Sequence, residues 1–166
     1  MLDKLDNPRE FFTHKLGSAL SMEQHVLKML GKLEEEATSP DLKQQLNHHA
    51  GETRGHVRNV ELAFEALGEK PDDKPALPIL AIEKEGQLDV HKAQGRMVDA
   101  AILAGATETE HLEIATYEAL IAHAEALGEP AIVNLLQQNL ESEQHTLDEV
   151  RAAQRRTASE LALAPA

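Results

Sequence analysis

The chain has 166 residues, enough for one domain (1–166) whose buried core needs no disulfide bonds. It contains no cysteine, which excludes both a disulfide framework and a thiolate metal site. The formal net charge of −13 argues against general binding to nucleic acid, which needs clustered lysine and arginine, and favours cations as partners.

Start and stop signals predict two long helices in the first part of the chain. Asn7, followed by proline and then by an acid, combines an N-cap, a proline at the first helical position and a capping box. This pattern predicts a helix over 8–37. Ser39 with the next proline repeats the start signal and Gly68 supplies a stop, which predicts a second helix over 40–67.

The next segment, 69–92, reads as a connection. Three prolines break any long helix there. Only 79–85, which is followed by Gly86, has the composition of a short helical piece. We therefore expect a long crossover that contains one short helix.

Two more helices are predicted in the last part of the chain. The third covers 93–127 and ends at Gly128, and the fourth covers 130–157 and begins with a proline. Residues 158–166 are expected to form a disordered tail.

The lengths of the connections predict the topology. Links of two or three residues make each sequential pair of helices an antiparallel hairpin. The long connection can travel the length of a bundle, so that the second hairpin starts at the opposite end. This predicts an all-α fold, a ferritin-like four-helix bundle of two hairpins joined by a crossover. A plain up-down-up-down bundle is the alternative.

Four glutamates lie inside apolar stripes of helical period. They form two pairs, Glu23 with Glu52 and Glu113 with Glu143, which are 29 and 30 residues apart. This near-repeat suggests two copies of one hairpin, with the second glutamate one residue out of register. Buried unpaired carboxylates are costly, and the stripes contain no lysine or arginine. We interpret the glutamates as ligands of a pair of metal ions, with ion pairing without metal as the alternative.

Four more residues are candidates near this centre. His56 follows the glutamate of the second helix by four residues and is expected to be a ligand. The corresponding position of the other half is a leucine, so Glu110, one turn before Glu113, is the expected substitute. This predicts one metal position with a histidine and one richer in carboxylates. His49 is a ligand or orients one, and Tyr117 fills the core or contacts a ligating carboxylate.

At these residues the chain resembles the YciE/YciF type of ferritin-like stress protein. The resemblance covers roughly 8–150 and is carried by the strings MEQHVLKML, HHAGETRGHVRNVELAFEALG, ETEHLEIATYEAL and NLLQQNLESEQHTLDEV. Its most specific parts are a His-x-x-Glu-Thr-x-x-His pattern over 49–56 and a Glu-His-x-Glu-Ile-Ala-x-Tyr pattern over 110–117.

The resemblance implies a ferritin-like bundle with a dinuclear metal site, a dimeric assembly and a link to stress responses. Family members commonly carry a cysteine in the crossover, and this chain has none. Carried over residue by residue, the candidate metal ligands are Glu23, His49, Glu52, His56, Glu110, Glu113 and Glu143.

These observations give two functional hypotheses. The first is a di-iron oxidoreductase or peroxidase that reduces dioxygen or peroxide while it oxidises Fe(II) or another donor. The second is a non-enzymatic stress adaptor or metal-binding bundle in which the metals are structural. The expected cofactors are two divalent ions, iron first, with manganese or zinc as alternatives. We expect a cytoplasmic homodimer that binds neither nucleic acid nor membrane.

Overall fold

The structure, a computed structural model, describes residues 5–163. Five helices follow one another: α1 (Pro8–Glu36), α2 (Pro40–Ala66), α3 (Leu77–Lys92), α4 (Met97–Leu127) and α5 (Pro130–Leu163). Between residues 5 and 163 there is no strand. None of the helices in this range combines the length and the apolar character needed to cross a membrane. Helices α1, α2, α4 and α5 form a four-helix bundle, and α3 packs on its outside against α4 and α1.

Local signals determine where the helices begin and end. The side chain of Asn7 accepts a hydrogen bond of 2.9 Å from the backbone nitrogen of Glu10, which caps α1. Ser39 caps α2 in the same way, through Leu42. Gly128 takes the left-handed conformation (φ 73°) that ends α4, so the turn to α5 is short.

Asp99, in the first turn of α4, shows how the two hairpins are connected. Its carboxylate accepts hydrogen bonds from Thr38 N (2.7 Å), Thr38 Oγ1 (2.6 Å) and Ser39 N (3.0 Å), at the turn between α1 and α2. Helix α4 therefore starts at the end of the bundle opposite to the end of α2. In the bundle, α1 and α5 each contact both α2 and α4. The predicted ferritin-like arrangement is confirmed, and the plain up-down-up-down alternative is wrong.

The helix in the crossover is longer than the sequence predicted. Helix α3 spans Leu77–Lys92 and contains Gly86, which was expected to end it. A glycine inside a helix costs only about 1 kcal/mol. Here it also faces a small neighbour, because a Cβ atom on Gly105 would lie 4.0 Å from the Cα of Gly86. The actual break is at Gly95 (φ 55°), so α4 begins at Met97 and not at 93.

The expected disordered tail is wrong over residues 158–163, which belong to α5. Alanine and leucine, which dominate this segment, are strong helix formers. An ion pair between Glu160 and Arg96 also attaches the last turns of α5 to the start of α4. The rest of the predicted tail, 164–166, lies outside the described residues.

The crossover passes α1 at a glycine. The backbone nitrogen of Lys74 donates a hydrogen bond of 3.0 Å to the carbonyl oxygen of Gly17. A Cβ atom on Gly17 would overlap the carbonyl oxygen of Asp72 and would lie 2.8 Å from Lys74 Cγ. Only a residue without a side chain allows this close approach.

Candidate metal centre

Six ionisable side chains meet in the middle of the bundle, and all four bundle helices contribute to them. None is more than 5% exposed. They are Glu23 from α1, His49 and His56 from α2, Glu110 and Glu113 from α4, and Glu143 from α5. Each lies in an apolar stripe, so the same helical period that buries the leucines also buries these groups.

The side chains form two groups that share one member. Within each group, one ligand atom per residue lies within 4.8 Å of all the others. The first group is Glu23, His56 and Glu143, and the second is His49, Glu110, Glu113 and Glu143. Glu143 belongs to both groups, which is the position a bridging carboxylate would occupy.

Close contacts join the histidines to the carboxylates. His49 Nε2 lies 3.2 Å from Glu110 Oε1. His56 Nδ1 lies 2.7 Å from Glu143 Oε1 and 3.6 Å from Glu23 Oε2. None of these nitrogen–oxygen pairs has the alignment of a hydrogen bond. The atoms are therefore close to one another without satisfying one another's hydrogen-bonding capacity.

Several buried oxygen and nitrogen atoms here have no hydrogen-bond partner. They include both oxygens of Glu113, both of Glu143, one each of Glu23 and Glu110, His49 Nε2 and His56 Nδ1. Unpaired buried polar atoms are rare in native proteins and call for a physical explanation. A set of carboxylate oxygens and imidazole nitrogens is the donor chemistry that iron, manganese and zinc accept. The residues therefore fit divalent metal ions.

Burial dominates the acid–base properties of the carboxyl groups. It raises the pKa of Glu23 and of Glu143, although the neighbouring His56 works in the opposite direction. The pKa of Glu113 is raised well above its usual value, first by burial and then by the negative charges of Glu143, Glu23 and Glu110. Without a cation these groups resist ionisation.

The carboxylates beside the two histidines raise the pKa values of both. Burial alone would lower the pKa of His49, but its contact with Glu110 raises the value to about 9. Burial would also lower the pKa of His56, but its contacts with Glu143 and Glu23 raise the value to about 10. Both histidines are therefore in the doubly protonated, positively charged form at neutral pH in the metal-free protein. A metal ion that binds them must displace these protons.

Tyr117 fixes the orientation of Glu23. Its hydroxyl donates a hydrogen bond to Glu23 Oε1 and accepts one of 2.9 Å from Asn139 Nδ2. Asn139 Nδ2 also donates to the carbonyl oxygen of His56 (3.2 Å), and Asn139 Oδ1 accepts from Asn59 Nδ2 (2.7 Å). Burial, then the charge of Glu23, raises the pKa of Tyr117 well above its usual value, so the hydroxyl keeps its proton. The structure shows both roles expected for Tyr117, because its side chain is fully buried in the core and its hydroxyl contacts a carboxylate.

Comparison with known proteins agrees with this fold. A family model described as a domain of unknown function, DUF892, matches residues 7–162. The chain belongs to the DUF892 family. Protein YciF of Escherichia coli strain K12 is similar to it, with 28% identity over 139 residues that cover 82% of this chain and 84% of YciF.

Solved structures resemble the whole bundle. YcfI of Rhodopseudomonas palustris, described as a candidate structural protein, shares 33% identity with a TM-score of 0.88 over 91% of this chain and 97% of its own. The Escherichia coli stress protein YciF shares 25% identity with a TM-score of 0.88 over 93% and 99%. A two-domain protein of Anabaena variabilis that contains a ferritin-like domain gives a TM-score of 0.65 at 15% identity, over 97% of this chain and 40% of that protein. The last match supports the fold alone.

Glu52 is the one predicted ligand that the structure places outside both groups. Its side chain is 27% exposed, and its oxygens lie 3.5 Å from His49 Nδ1 and 3.6 Å from His48 Nε2. The reason is helical register, because one residue rotates a side chain by about 100°. Glu23 and Glu113 are 90 residues apart in the sequence. With the same offset, the residue that corresponds to Glu143 is Thr53, which is fully buried, and not Glu52. The structure thus places Glu52 in contact with His49, outside both groups of close ligand atoms, so it does not support Glu52 as a ligand.

The predicted asymmetry also needs correction. Only one metal position was expected to have a histidine, but each group contains one: His56 in the first and His49 in the second. The expected difference in carboxylates is present, with two in the first group and three in the second. His49 differs from the sequence-based picture because its closest carboxylate, Glu110, comes from another helix.

Two buried polar residues next to the site were missed by the sequence reasoning. Asn139 joins Tyr117 to α2, as described above, and Thr146 Oγ1 lies 3.5 Å from His49 Nδ1. The same offset of 90 residues aligns Asn139 with His49 and Thr146 with His56. An alignment of the two halves of the chain without gaps would therefore have identified these positions.

Proposed function

We propose that this chain is a dinuclear metal protein, with iron as the metal, that reduces dioxygen or peroxide while it oxidises Fe(II) or another donor. The observation that carries the proposal is the sharing of Glu143 between two groups of buried ligand atoms. Carboxylate-rich sites inside four-helix bundles are a common way to hold two metal ions side by side.

The residues have distinct roles in this proposal. Glu23 and His56 would hold one ion, His49, Glu110 and Glu113 would hold the other, and Glu143 would contact both. Two ferrous ions bound there would supply the two electrons that, with two protons, convert one hydrogen peroxide into two water molecules. The protein would exclude bulk water from the centre and keep Glu23 oriented through Tyr117.

The relatives support a role in stress responses. YciF is named a stress protein, and the similarity covers most of both chains. We extend that role to this chain as part of the proposal. The homodimer stays a prediction, which sedimentation equilibrium of the purified protein would test.

Metal loading is the first test. Anaerobic reconstitution with Fe(II), followed by removal of free metal and elemental analysis, should give about two iron ions per chain, as a paired site requires. Glu143→Gln should lower this number, because it weakens both positions. Glu141→Gln is the matched control, since Glu141 is exposed on the same helix two residues away. A wild-type chain that retains no metal would overturn the proposal.

Turnover is the second test. Addition of hydrogen peroxide to the ferrous protein should consume it in proportion to bound iron and produce a new absorbance of the ferric form. The description of YcfI as a candidate structural protein is compatible with a non-enzymatic role. For this chain the alternative is a bundle in which metals only stabilise the fold. That alternative predicts about two bound metals and a higher melting temperature, without consumption of peroxide.

A further inference from the structure

A cavity of about 140 Å³ lies beside the candidate metal centre. All five helices contribute residues to its lining. Most of its wall is apolar, and this wall includes Val26, Leu30, Ile82, Val90, Ile102 and Leu103. Native interiors are packed densely and rarely leave space of this size unused.

The inner end of the cavity is formed by the metal centre itself. His49 and Glu110 line it there, together with Thr109 and Thr146. His49 Nε2 and Glu110 Oε2 are both buried without a hydrogen-bond partner. A molecule in the cavity would therefore lie against the group of ligands that contains His49, and not against the group that contains His56.

Most of the polar lining away from the metal centre lies on α1 and α3. These residues are Lys32, Glu36, Glu83 and Gln87, and Lys32 Nζ lies 3.3 Å from Glu83 Oε1. The lysine in this lining is thus already paired with an acid. Together with the charge of −13 on the whole chain, this opposes the entry of an anion.

The size and chemistry of the cavity define its ligand. An engineered apolar cavity of about 150 Å³ in another protein binds benzene or xenon. A charged molecule would lose its hydration against these apolar walls, and the histidine and carboxylate at the inner end, 3.2 Å apart, already offset each other's charge. A neutral molecule that consists of a single ring or a short chain meets both conditions.

We propose that this cavity binds a neutral, apolar organic molecule of about the size of benzene and holds it against the His49 and Glu110 end of the metal centre. Calling this molecule the organic substrate of the centre rests on the proposed function. The binding of the molecule to the cavity does not depend on the proposed function, because the cavity exists without a metal ion. The two ideas can therefore fail separately.

The test uses benzene as the probe and the metal-free, full-length protein in chelator. Titration followed by NMR should show saturable binding, with larger shifts of the His49 ring than of the His56 ring, because only His49 lines the cavity. Benzoate, which has the same ring and a negative charge, should bind much more weakly. The same experiment on iron-loaded protein would then show whether the probe changes the absorbance of the centre.

Two variants on α4 locate the binding site. Ala106→Leu places a larger side chain in the cavity wall and should weaken benzene binding roughly tenfold or more. Ala104→Leu, on the exposed side of the same helix, should leave binding unchanged. If Ala106→Leu does not fold, Ala101→Leu at another point of the wall serves the same purpose.

Absence of benzene binding to the wild type, or equal binding to the wild type and the filled variant, would overturn the cavity proposal. Neither result changes the expected number of bound metals. A chain that binds benzene but no metal would keep the cavity site and would remove its role as the site of a substrate.

Discussion

Glu113 allows metal binding and folding to be separated experimentally. Its side chain is fully buried, and neither carboxylate oxygen has a hydrogen-bond partner. The residue lies among three other buried carboxyl groups, whose charges together with burial raise its pKa. Glu113→Leu removes this group and keeps a side chain of similar size. In the metal-free protein the change should stabilise the fold, whereas it should weaken metal binding.

The size of the effect follows from the buried acid. An unsatisfied buried polar group costs about 1–3 kcal/mol, and its removal should raise the free energy of unfolding by a similar amount. Because 1 kcal/mol shifts the melting temperature of a domain of this size by about 2–4 °C, the melting temperature should rise by roughly 2–12 °C. A carboxyl group with a raised pKa loses stability as the pH increases above its unfolded value. The gain from Glu113→Leu should therefore be larger at about pH 8 than at about pH 5.

Urea unfolding, followed by far-ultraviolet circular dichroism, measures this change in the presence of a chelator. Glu118→Leu, at an exposed position of the same helix, is the matched control and should leave stability unchanged. With Fe(II) at one hundred times the dissociation constant, the wild type should gain about 2.7 kcal/mol for each bound ion, and the variant should gain much less. Destabilisation of the metal-free Glu113→Leu protein, with Glu118→Leu unaffected, would refute the view that Glu113 is an uncompensated buried acid.

Three further predictions concern the fold and its dependence on pH. Gly17→Ala should destabilise the chain by about 1–3 kcal/mol in urea unfolding, because the new methyl group overlaps the carbonyl oxygen of Asp72, whereas Gly31→Ala, which meets no atom within 4 Å, should not. Asp99→Ala should cost about 3 kcal/mol, since it removes three hydrogen bonds between the hairpins; an unchanged melting temperature would contradict that role. The two buried histidines of the centre have pKa values of about 9 and about 10, so metal-free protein should lose stability as the pH rises from about 6.5 through these values. Over the same range the affinity for each metal ion should rise about tenfold per pH unit, because each ion displaces one histidine proton. A flat profile in competition with a chelator of known pH dependence would contradict this.

Helical period was sufficient to find most of the centre from the sequence. Glu23, Glu113 and Glu143 interrupt stripes of leucine and isoleucine, and all three are fully buried in the structure. The error at Glu52 shows the limit of this reasoning, because a stripe fixes the face of a helix only to within about one residue. The neighbouring Thr53 occupies the buried position, and a strict repeat alignment would have identified it.

Contacts between side chains on different helices could not be predicted from the helical period. The closest carboxylate to His49 is on α4, 61 residues later in the chain, and no periodicity within α2 indicates which group it meets. The length of α3 depends in the same way on its packing against α4, which outweighs the local effect of Gly86. Local signals predicted the helices and their order, whereas tertiary contacts determined which polar groups became partners.

In the proposed dinuclear site, the position of Glu143 in both groups would make the two metal positions thermodynamically dependent on each other. An ion at either position would order this side chain and change the charge that the next ion meets. By reciprocity, the factor by which the first ion alters the affinity for the second equals the factor by which the second alters the affinity for the first. Metal loading should therefore follow one coupled equilibrium of the whole bundle, with a half-loaded state whose population reports the sign of that coupling.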